Sequence, residues 1–232
     1  MVLAGLQKNS LIDYPGKLSC VCFFQGCNFA CPYCHNPDLV EERSSNRFFL
    51  EEKELYVFLE RRKGFLDGVV ISGGEPTLQQ GLPNFCRNIK RMGYLVKLDT
   101  NGSRPLVIKG LIEEGLVDYV AMDIKTSPNL YKMFPKNRCK VDDIFSSIGI
   151  IMGSKIAYEF RTTCVRPLVD ASAVEKIAKN IRDAELYALQ GFHRTKLLRP
   201  EFFRGIEPAY DHDTMMVLKS IAGSYVQKCI LR

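Results

Sequence analysis

The sequence contains no run of about eighteen apolar residues, so no helix of it is expected to span a membrane. Its first residues, Met1 to Ser10, lack the basic head and long apolar stretch of a secretory signal, and a cytoplasmic location is expected. There is no basic tail. The formal charge of +6 is spread over short clusters such as Glu60-Arg61-Arg62-Lys63 and Lys136-Asn137-Arg138. Such a surface permits an acidic partner without demanding one, and nucleic acid is not an expected ligand. No repeat and no low-complexity linker interrupts the 232 residues, of which 46% are hydrophobic. One core and one α/β domain over 1–232 account for that length. The cysteines number nine, and an odd count argues against a complete disulfide framework. In a reducing cytoplasm, clustered cysteines point to metal and scattered ones to buried thiols.

What is present is alternation of short apolar runs with amphipathic stretches. Strands are predicted over 18–24, 68–71, 94–98, 117–122, 155–162 and 185–190, with a last one over 225–230. Helices are predicted over 50–62, 77–92, 106–114, 141–152, 171–184 and 211–222. In the first of these Leu55, Phe58 and Leu59 share a face, and Gly115 stops the third. Strands separated by helices of this length imply βαβ units and a parallel sheet. Both a partial (β/α) barrel and an open doubly wound sheet satisfy the pattern. In either, functional groups collect at the carboxyl ends of the strands.

The densest chemistry follows the first predicted strand, in Gln25-Gly26-Cys27-Asn28-Phe29-Ala30-Cys31-Pro32-Tyr33-Cys34-His35-Asn36-Pro37. Its spacing is Cys-x3-Cys-x2-Cys. Thiolates are soft ligands that suit an iron–sulfur cluster or zinc. Three cysteines in one loop leave one iron of a four-iron cluster open to a substrate or cofactor. A zinc site completed by His35 is the competing reading. Cys20 and Cys22 alternate on the strand before the loop and read as small core residues. Cys86, Cys139, Cys164 and Cys229 are scattered.

Cys27, Cys31 and Cys34, with aromatic Tyr33 before the last, resemble the signature of the radical S-adenosylmethionine superfamily. The longer strings Leu11-Ile12-Asp13-Tyr14-Pro15-Gly16-Lys17, Phe24-Gln25-Gly26-Cys27-Asn28-Phe29 and Cys34-His35-Asn36-Pro37 resemble the short activating proteins of anaerobic ribonucleoside-triphosphate reductase. Those are cousins of pyruvate formate-lyase activating enzyme. The likeness extends over most of the chain and is weakest in its last part. It implies a partial (β/α)6 barrel of the radical S-adenosylmethionine type. It also implies a [4Fe–4S] cluster on the three cysteines, with S-adenosylmethionine chelating the fourth iron. Reductive cleavage then gives a 5′-deoxyadenosyl radical that takes hydrogen from a glycine of a glycyl radical enzyme. Flavodoxin or ferredoxin is the implied electron donor.

The same resemblance gives roles to other strand ends. Gly73, Gly74 and Glu75, in Ile71-Ser72-Gly73-Gly74-Glu75-Pro76, are implied to meet the methionyl amino group. Asp99, Thr100 and Asn101 end the third predicted strand, and Asp123 and Lys125 the fourth. They are implied to lie by the cofactor and to bind a monovalent cation, for which hard oxygens are suited. Turn and cap roles are the alternative for these residues. Arg161 ends the fifth strand, where it can pair with the methionyl carboxylate or ribose, or make an ordinary ion pair. His193 follows the sixth, where relatives place a cofactor contact. The polar loop from Thr126 to Lys140, with Lys132, Lys136, Arg138 and Lys140, reads either as a docking surface or as a solvated connection.

Overall fold

The structure is a computed structural model that describes residues 1–40, 49–136 and 140–232. Arg138 and Cys139 therefore lie outside the described residues. The element order is β1 (Leu3–Ser10), β2 (Ser19–Phe24), α1 (Pro37–Val40), α2 (Glu52–Arg61), β3 (Gly68–Gly73), α3 (Leu82–Arg91), β4 (Leu95–Thr100), α4 (Pro105–Glu113) and β5 (Tyr119–Asp123). There follow α5 (Val141–Met152), β6 (Ala157–Cys164), α6 (Ala171–Asn180), β7 (Tyr187–Gly191), α7 (His212–Gly223) and β8 (Cys229–Leu231). Among the described residues, eight strands form one sheet in chain order. β2 to β8 run parallel and β1 pairs antiparallel with β2. The result is the partial barrel: the six expected strands, the last strand expected over 225–230, which forms only as Cys229–Leu231, and one antiparallel strand added in front. No helix among the described residues is long and apolar enough to cross a membrane.

β1 was not expected, and its composition explains why. Leu-Ala-Gly-Leu-Gln-Lys-Asn-Ser has no β-branched or aromatic residue to mark a strand. The helix expected over 77–92 is broken as well. A short 3-10 turn occupies Pro76–Leu78, and α3 begins only at Leu82. Pro83 has no N–H and tolerates only the first turn of a helix, so the helix must start just before it. Two later helices open on conventional caps. Asp170 accepts from Ala173 N at 2.7 Å and Asp211 from Thr214 N at 2.7 Å, opening α6 and α7.

The inner strands, β2 to β7, are largely buried on both faces. Cys20, Cys22, Phe24, Ile71, Leu98, Met122 and Phe160 join one large cluster with the inward residues of the helices, such as Leu55, Phe85, Ile108, Ile148 and Ile177. Each such side chain contributes about 1.5–3 kcal/mol when fully buried. Val21, Val70, Tyr119 and Ala121 turn to the opposite face and form a small apolar cluster with Tyr14. From β4 onward that second face becomes ionic. Alternation places Lys97 and Asp99, then Asp123, then Glu159 and Arg161, on the side away from the helices.

A three-thiol cavity at the strand ends

The loop after β2 is closed at both ends by backbone bonds. Gln25 N donates to Val2 O at 3.0 Å, Gly26 N to Leu39 O at 2.8 Å, and Cys34 N to Cys31 O at 3.0 Å. The glycine pair after β3 packs against the root of this loop. Gly74 N donates to Phe24 O at 2.9 Å and Glu75 N to Gly26 O at 2.8 Å. A side chain at Gly74 would put its Cβ 2.0 Å from Gly26 O. At Gly73, where φ is +116°, it would lie 2.4 Å from backbone atoms of Phe24. The two glycines are therefore needed first for the approach of chain to chain.

The segment 126–136 buttresses the loop from the other side. Ala30 N donates to Phe134 O at 2.7 Å, and Lys136 N to Asn28 O at 2.8 Å. The Phe29 and Tyr33 rings stand edge-on to Tyr131 and Phe134, at 6.4 and 6.2 Å. This half of the expected docking loop is thus a support of the cysteine loop. A third tie runs to β4: Asn101 Nδ2 donates to Asn28 Oδ1 at 3.0 Å, and Asn28 Nδ2 to Ser103 Oγ at 2.8 Å.

These ties converge on a cavity of about 200 Å³ lined by Cys27, Cys31, Tyr33 and Cys34, by Gly73 and Gly74, and by Asp99, Thr100, Asn101, Asp123 and Lys125. Phe29, His35, Asn36, Val40, Ser72 and Thr163 complete its wall. Three expected residues stand elsewhere. Glu75 is wholly buried beneath the wall, and its carboxylate takes four hydrogen bonds: from Thr77 N (3.1 Å), Thr77 Oγ1 (2.5 Å), Thr100 Oγ1 (2.8 Å) and Asn101 N (2.6 Å). Burial pushes its pKa up, and those donors only partly oppose the rise. Arg161 faces Asp99 and Asp123, with Nε 2.7 Å from Asp123 Oδ1. His193 is exposed and reaches the site only through His35, which hydrogen-bonds its backbone and packs on Phe192.

The donor set fits a cluster. Burial pushes the Cys27 thiol up to about 11 and Cys31 to about 12, and raises Cys34 in the same direction; Lys125 pulls against all three. Thiols so raised become thiolates when a metal centre supplies the positive charge, with release of protons. Among the described residues no three His, Cys, Asp or Glu side chains are gathered as ligands of a single ion. The three thiols line one cavity wall, and a polynuclear centre gives each thiolate its own iron. Lys125 is fixed beside them. Its Nζ lies 3.0 Å from Asp123 Oδ2, its N–H donates to Tyr131 Oη at 3.0 Å, and its carbonyl accepts from Tyr33 Oη at 3.4 Å. Burial would raise Asp123, but Arg161 and Lys125 hold it well below the usual carboxylate range.

Sequence reasoning passed over Lys97, Ser72, Thr163 and Asn28. Lys97 was readable: a lysine inside an apolar strand, two residues before an aspartate, has to share that aspartate's face.

Residues 21–187 match the family model of the radical SAM superfamily. The chain is 37% identical to a Methanocaldococcus jannaschii protein that carries the provisional name of a glycyl-radical enzyme activating enzyme; the match covers 100% of this chain and 95% of the relative. It is 34% identical over 202 residues to the pyruvate formate-lyase-activating enzyme of Clostridium pasteurianum, covering 82% of this chain and 81% of that one. Among solved structures, QueE from Escherichia coli matches 100% of this chain and 93% of its own with a TM-score of 0.55; at 14% identity this is a likeness of fold alone.

Proposed function

We propose that this chain, which belongs to the radical S-adenosylmethionine superfamily, activates a glycyl radical enzyme, with anaerobic ribonucleoside-triphosphate reductase as the partner. The observation that carries the reading is the convergence of three thiols and three strand ends on one cavity. When bound, a [4Fe–4S] cluster with S-adenosylmethionine supplies one-electron cleavage of the sulfonium and a primary carbon radical able to take hydrogen from a glycine.

The chain's own residues hold, orient and shield. Cys27, Cys31 and Cys34 hold the cluster and leave one iron open. Gly73 and Gly74 offer backbone without side chains to the amino-acid end of the cofactor, and Asp99, Thr100, Asn101 and Asp123 line its flank. Glu75 acts as a positioning residue: it locks Thr100 and Asn101 to the turn after β3. Tyr33, Phe29, Tyr131 and Phe134 pack behind the loop and keep water from its base. Lys125 sets a positive charge beside the three thiolates. Flavodoxin or ferredoxin supplies the electron, in the cytoplasm.

A second partner, pyruvate formate-lyase, is favoured by the 34% identity to its activating enzyme. The deciding experiment mixes anaerobically reconstituted protein, reductant and S-adenosylmethionine with each partner in turn. The expected result is 5′-deoxyadenosine, methionine and a glycine-centred radical in the electron paramagnetic resonance spectrum of one of them. Cleavage of the cofactor with no radical on either partner would shift the reading to another glycyl radical enzyme or a small-molecule substrate.

A further inference from the structure

The flank of the cavity is where the resemblance to activating enzymes implies a monovalent cation, on Asp99, Thr100 and Asp123. The oxygens there are already engaged. Asp123 Oδ1 accepts from Arg161 Nε at 2.7 Å and Oδ2 from Lys125 Nζ at 3.0 Å. Asp99 Oδ1 is paired with Lys97 Nζ and lies 3.4 Å from Arg161 Nη1, while Oδ2 accepts from Ser72 Oγ at 3.1 Å. Thr100 Oγ1 donates to Glu75 at 2.8 Å and accepts from Gly102 N at 3.1 Å. The guanidinium of Arg161 thus bridges the two aspartates, and its side chain is only 13% exposed. The sheet register puts it there: Arg161 is the direct neighbour of Asp123 across β5 and β6.

We propose that Arg161 stands in place of the monovalent cation between Asp99 and Asp123, so that this chain binds its cofactor without an alkali ion. The charge count agrees. Lys97, Lys125 and Arg161 meet Asp99 and Asp123, three cations against two carboxylates, and the neighbouring Glu159 is closed by Arg232 at 2.6 and 2.8 Å. An added ion would enter a patch whose carboxylates are already outnumbered by cations and would have to break a buried pair to find oxygen ligands. A planar fork of donors also fixes the spacing of the two carboxylates, which a spherical ion does not. Arg161 is in this account a positioning residue, and it holds the aspartates on the cofactor's flank.

The inference rests on the family reading of the cofactor pocket and is indifferent to which partner is activated. Its test is therefore binding. S-adenosylmethionine affinity of the cluster-loaded protein is measured by equilibrium dialysis in sodium, potassium and tetramethylammonium chloride at equal ionic strength. The wild type is expected to bind within about twofold in all three salts; a loss of about tenfold in tetramethylammonium overturns the proposal. Arg161→Gln, checked by iron content and thermal melting, is expected to bind about tenfold more weakly in tetramethylammonium and to recover in potassium or ammonium. Equal weakening in every salt would mean that Arg161 contacts the cofactor itself, and no weakening in any would mean that it is idle; either overturns the proposal. If that variant does not fold, the wild-type comparison decides alone. Absence of cofactor binding in any salt would sink the functional reading and this inference with it, whereas binding without activation of any partner would sink only the former.

Discussion

The two faces of the sheet are filled by opposite means. On the helix side, Cys20, Cys22, Ile71, Leu98 and Phe160 pack against apolar helix residues, and nothing there needs a particular partner. On the other side, Lys97, Asp99, Asp123, Glu159 and Arg161 each need one; the first three and Arg161 have one within their own strand or the next, and Glu159 has Arg232, just after β8. The first face is governed by volume and the second by pairing. The charged flank of the site is built on the second, because its groups hold their positions through directed contacts that a ligand can replace, while the thiols pack against the first.

Cysteine provides the sharpest contrast between groups that line the cavity and groups that only fill volume. Replacing Cys27, Cys31 or Cys34 by Ala is expected to abolish the cluster, read as loss of iron, sulfide and the brown chromophore after anaerobic reconstitution. Cys20→Ala and Cys22→Ala, on the helix face, should retain full iron content and lose only about 1 kcal/mol of stability. Loss of iron from the second pair would move the cluster into the wrong region.

Glycine gives the next contrast. Gly74→Ala sets a methyl group 2.0 Å from Gly26 O, where only backbone can yield. It should cost about 3 kcal/mol in urea unfolding of the metal-free protein and reduce iron uptake. Gly110, inside α4, has open space around its missing Cβ. Gly110→Ala should stabilise by about 0.5–1 kcal/mol. A tolerated Gly74→Ala would mean that the loop and the turn after β3 are not locked together.

Acid should separate the faces as well. The folded pKa of Asp123 is depressed, so its contribution is present above the ordinary carboxylate value and is lost as pH falls through that value toward the folded one. Glu75 has the opposite sign: its pKa is raised, so its contribution is fullest at low pH and declines as pH rises through the folded value. Asp123→Asn should flatten the loss of stability below about pH 4 and cost about 3 kcal/mol at neutral pH, through the buried cation left short of a partner. An unchanged acid limb in chemical unfolding of the variant would remove Asp123 from that account.

The same contrast explains what could be read in advance. The helix face writes itself into the sequence as periodicity, so most strands and helices were legible, and 141–152 was placed to the residue. β1 was invisible because an antiparallel edge strand of Leu, Ala, Gly and polar residues carries no strand signal. On the other face, legibility depended on motif. Cys27, Cys31, Cys34, Gly74, Asp99 and Asp123, which line one cavity, could be singled out because they sit at strand ends in recognisable strings. Where their side chains point was not legible. Glu75 turns inward because two donors of its own turn and two of β4 meet it there, and Arg161 turns to Asp123 because of a register that no local string encodes.

The smallest effect is expected from a pair that looks equally good on distance alone. Lys63 Nζ lies 2.8 Å from Glu60 Oε1, close to the 2.7 Å of Arg161 on Asp123. The side chains of Lys63 and Glu60 are 47% and 61% exposed, against 13% and 27% for Arg161 and Asp123. Water solvates the surface pair almost as well apart as together, salt screens it, and ordering two long side chains costs entropy. A double-mutant cycle on Glu60 and Lys63 should therefore give a coupling below about 0.5 kcal/mol that vanishes at high salt. The Arg161–Asp123 cycle should give several times more and persist in salt, because little solvent reaches it. Equal couplings in the two cycles would show that burial is not what divides the faces, and that the ionic side of the sheet is no more than a surface folded inward.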